Sequence, residues 1–203
     1  MAYHVPEPRF AGSGLGCFLG PASVMSHLEV HRAHAAALNA ELESIGASAH
    51  PRHISSVLSD PLSVPEGSRG RIGFYGGGYD NHSVYWESLV PGGSRPGPAL
   101  EGQADVYYGG LGGLSGEIES VSLGIEGSGW CWLALDPSLM RIRVLATPGE
   151  QSPRSMRLVP LLGLDMWEHA HYLEYGPDRR SYVRGWLGSA NWARAEALLA
   201  PLG

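Results

Sequence analysis

The sequence predicts an α+β fold in which a helical N-terminal half precedes a C-terminal half that mixes helices and strands. A 3.6-residue period of apolar and histidine side chains over residues 22–45 is typical of one long helix. The segments WCWLALDP and MRIRVLAT, within residues 130–147, are rich in apolar and β-branched residues and indicate a hairpin. The linker-like segment LVPGGSRPGP, residues 89–98, predicts a division into two domains, residues 1–90 and residues 98–203.

The N-terminal half is predicted to contain three segments. The Gly-Pro pair at residues 20–21 marks the start of the first helix, because the missing N–H of proline would be unpaired there anyway. A second helix is predicted over residues 52–58, and the prolines and glycines of PLSVPEGSRG end it. A third segment, which follows three consecutive glycines, is predicted to run from residue 79 to about residue 89.

The C-terminal half is predicted to alternate between helices and strands. Helices are expected near residues 99–108 and 115–123, before the hairpin. RLVPLLGLD, residues 157–165, is an apolar run that predicts a third strand. Three helices follow, and their predicted ranges are 167–175, 181–186 and 192–199.

Composition excludes several classes of protein. With 43% hydrophobic and 17% charged residues the chain is typical of a globular protein. A net charge of −6 argues against a nucleic-acid partner, and all 14 basic residues are arginine. No apolar run approaches the roughly 18 residues that a membrane span needs. The two cysteines are far apart and the N-terminus lacks a signal-peptide pattern, so we expect a cytoplasmic protein with no membrane partner.

Four side chains from separate segments form a candidate metal site. His27 lies on the first predicted helix, and His82 lies in GGGYDNHSVYW. Asp165 and His169 are both in GLDMWEHAHY. Three imidazoles and one carboxylate would suit iron or manganese, which accept both ligand types and leave a coordination position open.

Each of these residues has another interpretation that the residues alone leave open. His27 could be a buried helix histidine, and His82 could form a hydrogen bond at a helix start. Asp165 and Glu168 have the spacing of a capping box, in which two side chains satisfy the free N–H groups of a helix start.

Several motifs together resemble the iron/manganese superoxide dismutase family over nearly the whole chain. They are, in order along the chain, GGGYDNHSVYW, LVPGG, GSGWCWL, TPGEQSP and LLGLDMWEHAHYLEY. The resemblance implies a helical hairpin domain, an α/β domain with a three-stranded antiparallel sheet, and a homodimer. It also implies one iron or manganese ion per chain, held by His27, His82, Asp165 and His169. The sequence does not choose between the two metals.

The alignment of the first helix has an alternative that is shifted by one residue. This alternative would put Ser26 at the ligand position. We favour His27, because this alignment agrees with the flanking motifs and keeps His27 and His31 in the family's H-x-x-x-H spacing.

The surroundings of the metal site depart from the family pattern at two places. Ala35 stands where the family has a tyrosine, with His34 beside it, and we expect this change to open space above the metal. Glu150 stands where manganese-type members have a glutamine, and the iron-type position of that glutamine is Gly78. A carboxylate at Glu150 is expected to stabilise the oxidised metal, because neighbouring groups set redox potential and pKa.

Three further positions concern the entrance to the metal site and the dimer interface that the resemblance implies. Arg32 replaces a histidine that is usual near the entrance. His171 replaces a tyrosine that in the family bonds the second histidine, here His31, across the dimer interface. Glu168, which in the family bridges to the partner's ligand histidine, is kept. The predicted pocket residues are Tyr85, Trp130 and Trp167.

Three functions are compatible with these observations. The favoured hypothesis is a diverged metalloenzyme that acts on a small organic molecule, for instance in biosynthesis, with Glu150 or His34 as general acid/base and Arg32 orienting an anionic group. The alternative is a superoxide dismutase in which His34 or His171 supplies the missing proton relay. The third is a non-catalytic dimeric module, which Ser26 at the ligand position would favour.

Overall fold

The computed structural model describes residues 2–46 and 53–200. Its N-terminal half contains helices α1 (Pro21–Ser44), α2 (Ile54–Ser59) and α3 (Glu66–Glu87). Helix α1 begins directly after Gly20 with proline in its first turn, so its predicted start is confirmed. Residue 52, the predicted start of the second helix, lies outside the described residues.

The prediction for the third segment was wrong at its N-terminal end. Helix α3 begins at Glu66 and continues through the three glycines instead of starting after them. Close packing explains these glycines, since a Cβ at Gly77 would lie 2.1 Å from the carbonyl oxygen of Glu150. Each glycine costs a helix roughly 1 kcal/mol relative to alanine. The close packing that glycine allows between α3 and its neighbours, such as the segment that contains Glu150, offsets this cost.

The C-terminal half contains five helices and three strands among the described residues. These elements are α4 (Pro98–Tyr108), α5 (Leu111–Leu123), β1 (Gly129–Asp136), β2 (Arg141–Pro148), β3 (Val159–Asp165), α6 (Glu168–Tyr175), α7 (Arg179–Ser189) and α8 (Trp192–Leu199). The strands form one antiparallel sheet in the order β2–β1–β3, which confirms the predicted sheet. All eight residues of the central strand β1 are buried. None of the helices in the described ranges is long and apolar enough to span a membrane.

The main hydrophobic core joins the two halves of the chain. It includes Leu28 of α1 and Val84 of α3 together with Trp130 and Trp132 of β1. Because the core is continuous, packing does not by itself mark a boundary, and the division at residues 89–98 stays a prediction.

The segment between α3 and α4 is held against the end of α7. Leu89 forms an isolated bridge with Ala190, and the Val90 N–H donates to the carbonyl oxygen of Ser189 over 2.9 Å. This contact fixes the point at which the chain leaves α3, the helix that carries His82.

A buried serine connects α3 to the sheet. Ser88 is fully buried, and its Oγ donates to the Val84 carbonyl over 2.6 Å and accepts from the Gly163 N–H over 2.9 Å. We expect Ser88→Ala to lower the free energy of unfolding in urea by about 1–3 kcal/mol, because it leaves a buried N–H unpaired. Ser120→Ala, at an exposed position on α5, is the control. Equal small effects of the two variants would contradict the expectation.

Candidate metal centre

Four side chains from four different elements converge in the interior of the protein. The Nε2 atoms of His27 (α1), His82 (α3) and His169 (α6) and a carboxylate oxygen of Asp165 (β3) lie within 4.8 Å of one another. We call these four residues the metal cluster. The structure therefore brings together the whole predicted ligand set, although its role as a ligand set stays a prediction.

The end of β3 aims the carboxylate at this cluster. Asp165 pairs with Trp130 of the central strand, and its Oδ1 accepts from the Trp167 N–H over 2.8 Å. Its Oδ2 is therefore left for the histidines and lies 3.0 Å from His27 Nε2 and 3.1 Å from His169 Nε2.

The capping-box interpretation of Asp165 is wrong. Strand β3 ends at Asp165, and the N-cap of α6 is Trp167, which makes no side-chain capping bond. Glu168 instead accepts a hydrogen bond from the Ser128 hydroxyl over 2.8 Å. Asp165 thus terminates a strand and does not begin a helix.

The cluster has the chemistry that a metal ion requires. His82 Nδ1 donates to the Gly78 carbonyl over 2.6 Å, so its Nε2 carries only a lone pair. This Nε2 faces Asp165 Oδ2 at 3.6 Å, and both atoms are buried. Two buried acceptors at this distance repel each other, and a cation bound between them would remove the repulsion, so the residues fit a bound ion. Three nitrogens and one oxygen suit iron or manganese.

Burial and the neighbouring charges favour the protonation states that bind metal. Burial lowers the pKa of His27 and lowers the pKa of His82 well below its ordinary value. For Asp165, burial alone would raise the pKa, but His169 and His27 lower it well below its ordinary range. Neutral imidazoles and an ionised carboxylate are the forms that bind a metal ion.

The first helix points His27, and not Ser26, into the cluster. His27 is fully buried, whereas Ser26 is exposed on α1. The position that the alternative alignment gives to the ligand therefore faces solvent.

His31 forms a rigid support behind the cluster. Its ring stacks on that of His82 with the centroids 5.3 Å apart. Its Nδ1 accepts from Trp86 Nε1 over 3.2 Å, so Nε2 carries the proton and donates to the Tyr79 carbonyl over 3.0 Å. Burial lowers the pKa of His31 to about 3, so the ring is neutral at physiological pH.

Glu150 lies beside the cluster and is buried among hydrogen-bond donors. It is 3% exposed, and its Oε2 accepts from Trp130 Nε1 over 3.0 Å and from Asn81 Nδ2 over 3.2 Å. Burial and the nearby Asp165 raise the pKa of Glu150 to about 8. Without a metal ion, the neutral acid is therefore favoured at pH 7. The expected outer carboxylate beside a bound metal stays a prediction.

The expected space above the metal at Ala35 stays a prediction. Ala35 is buried, at 5% exposure. The adjacent His34 turns towards Glu150, with Nε2 3.6 Å from Oε1, and its ring centroid lies 5.4 Å from that of His82. The chain thus lacks the tyrosine ring at position 35 but carries an imidazole at the neighbouring position 34 of α1.

Arg32 and His171 are engaged elsewhere within the chain. The Arg32 guanidinium forms surface ion pairs with Glu7 at 2.6 Å and with Glu29 at 2.5 Å. His171 is buried within its own chain, and its Nδ1 donates to the Gly176 carbonyl over 3.1 Å. The predicted roles of His171 and Glu168 across a dimer interface stay predictions.

Aromatic side chains enclose the metal cluster. The Tyr85 ring lies 4.8 Å from that of His27, and the Trp130 ring lies 5.1 Å from that of His82. Trp167 stacks on His169 at 5.8 Å between centroids. These rings form apolar walls around the cluster.

Sequence reasoning missed Asn81. This buried side chain of α3 donates to both the carbonyl oxygen and Oε2 of Glu150, each over 3.2 Å. Its position immediately before His82 was a usable signal.

A largely buried cluster of three imidazoles and one carboxylate in this α+β fold is typical of a mononuclear metal-binding protein. Residues 96–198 match the family model for the C-terminal domain of iron/manganese superoxide dismutases. The chain belongs to the iron/manganese superoxide dismutase family. This family of metal-dependent oxidoreductases uses one iron or manganese ion per chain, and the metal cluster can hold it.

Several relatives are similar over most of their length. The manganese superoxide dismutase of Bordetella pertussis is 32% identical, with 100% of this chain and 98% of the relative covered. That of Thermus thermophilus is 34% identical, with 84% and 83% covered. The manganese/iron superoxide dismutase of a Methylomonas species is 33% identical, with 94% of both chains covered.

Proposed function

We propose that the protein converts superoxide to dioxygen and hydrogen peroxide, 2 O₂•⁻ + 2 H⁺ → O₂ + H₂O₂. The observation that carries this proposal is the convergence of His27, His82, Asp165 and His169 within 4.8 Å. Relatives that cover nearly the whole chain are named superoxide dismutases, which supports it.

The metal cluster would hold one iron or manganese ion. The chemistry that such an ion supplies is one-electron exchange, by which one superoxide is oxidised and a second is reduced. His31 supports His82 by stacking, and the aromatic rings form apolar walls around the site.

Glu150 is proposed to supply the hydrogen-bond donor that a glutamine supplies in the family. Its Oε2 already accepts from two N–H groups, those of Trp130 and Asn81. In the neutral acid the proton therefore lies on Oε1, which is buried and has no hydrogen-bond partner in the part of the chain described. A carboxylic O–H at this point resembles an amide N–H in shape and in donor capacity.

The direct test is metal content and superoxide turnover measured on the same purified sample. We expect close to one iron or manganese ion per chain, and turnover that a chelator removes and the metal restores. Negligible turnover after separate loading with iron and with manganese would refute the proposed reaction.

The organic-substrate hypothesis loses part of its support. It drew on expected space at Ala35, on the polar groups of His34, Glu150 and His171, and on Arg32, which is paired with two surface glutamates. The similar proteins are named superoxide dismutases. Ser26 at the ligand position would favour the non-catalytic hypothesis, and Ser26 is exposed. We therefore favour the dismutase.

Two properties of the whole protein stay proposals. A homodimer follows from the family resemblance, with Glu168 and His171 at its interface. A cytoplasmic location agrees with the free thiols of exposed Cys17 and buried Cys131.

A further inference from the structure

The imidazole of His34 packs against Gly78 of α3, in a space that a larger side chain at this position would fill. We call this space the cradle. A Cβ built at Gly78 would lie 2.2 Å from His34 Nδ1 and 2.4 Å from its Cε1. At Gly70 and Gly73, on the same helix, a Cβ would meet nothing within 4 Å. A side chain at position 78 and the His34 ring therefore exclude each other.

In this position the ring lies near Glu150 Oε1, the carboxyl oxygen that accepts no hydrogen bond among the described residues. His34 Nε2 lies 3.6 Å from Oε1, the oxygen that neither Trp130 nor Asn81 contacts. Ligating atoms of His34, His82 and Glu150 lie within 4.8 Å of one another. The pair of His34 and Glu150 thus borders the metal cluster at His82.

The other side of the ring is supported by Phe74. The ring centroids of His34 and Phe74 are 5.6 Å apart. Phe74 and Glu150 both line a largely apolar cavity of about 490 Å³ between α2, α3 and the end of β2. His34 is therefore confined by Phe74 and by Gly78, next to a cavity that Glu150 also lines.

We propose that His34 is a positioning residue that holds the Glu150 side chain beside the metal cluster. Its own ring is fixed by packing against Gly78 and Phe74. His34 acts through Glu150 and is not itself a metal ligand. This inference rests on the proposed dismutase function only in the experiment that measures superoxide turnover.

A double-mutant cycle tests the contact between His34 and Gly78. The effect of Gly78→Ala on the melting temperature should be opposite in sign with and without the His34 ring. Gly78→Ala should lower the melting temperature when His34 is present, because the added methyl group overpacks the ring. In the His34→Ala background the same change should raise it, since the space is free and alanine is the better helix former. Gly70→Ala, the matched control on the same helix, should raise it in both backgrounds. The same effect of Gly78→Ala in both backgrounds would overturn the proposal.

The indole N–H of Trp130 reports the position of Glu150 without any assay of activity. In the zinc-substituted full chain, where the ion is diamagnetic, the NMR resonance of this N–H should shift in His34→Ala. His34→Gln, which keeps a polar group, should partly restore it. The Trp186 indole N–H, which belongs to α7, is the internal control. A Trp130 resonance unchanged in both folded variants would overturn the positioning role.

The kinetic readout separates this inference from the proposed function. We expect His34→Ala to lower kcat by roughly tenfold, in the range typical of groups that support metal ligands, with metal content unchanged. Unchanged kcat in an active enzyme would count against the positioning role. If the wild-type protein has no turnover, the proposed function fails, and the melting and NMR experiments still decide the role of His34.

Discussion

Replacing His27 by glutamine is expected to remove most of the bound metal and nearly all superoxide turnover. His27 Nε2 lies 3.0 Å from Asp165 Oδ2, and the side chain is fully buried. Glutamine is too flexible and too weak a donor to replace an imidazole whose orientation is fixed by packing. Loss of a ligand should exceed the roughly 10–100-fold cost in affinity or activity that is typical of residues supporting the ligands.

The neighbouring residue is the matched control for this experiment. Ser26→Ala changes an exposed side chain of the same helix and should leave metal content and turnover at wild-type values. Metal content by mass spectrometry and far-ultraviolet circular dichroism should be recorded for both variants. If Ser26→Ala lost metal and His27→Gln kept it, the first helix would be aligned one residue away from the position inferred here.

Replacing Glu150 by glutamine is expected to stabilise the metal-free protein, by an amount that grows with pH. Burial, with Asp165 nearby, raises the pKa of Glu150 from 4.5 to about 8. Between these values the unfolded chain releases a proton that the folded chain retains. The stability associated with this group is therefore fully present below about pH 4.5 and is lost as pH rises to about 8. The loss is on the order of 1 kcal/mol per pH unit.

Glutamine keeps the shape and a hydrogen-bond donor but has no proton to lose. Urea unfolding of the wild type and of Glu150→Gln should therefore give free energies that diverge steadily from about pH 5 to about pH 8. Glu126→Gln, at an exposed position, controls for the loss of a surface carboxylate. A difference between wild type and Glu150→Gln that stays constant with pH would show that the Glu150 carboxyl is not held in its neutral form.

Local sequence patterns were sufficient for most of the fold. The three strands and the last helices were predicted close to their observed ranges, because alternation, apolar runs and Pro or Gly boundaries act over a few residues. The start of α3 was missed because glycine has low helix propensity. The reason for those glycines is the approach of Glu150 and His34, which local sequence does not contain.

The sequence by itself determined the family, the sheet and the set of residues that can bind metal, because long motifs carry them in order. Only the tertiary structure decided the burial of Glu150, which raises its pKa, the burial of Ala35 and the packing of His34 against Gly78. These properties depend on desolvation and on distances between α1, α3 and the segment after β2. Such quantities arise only when segments far apart in the chain pack together.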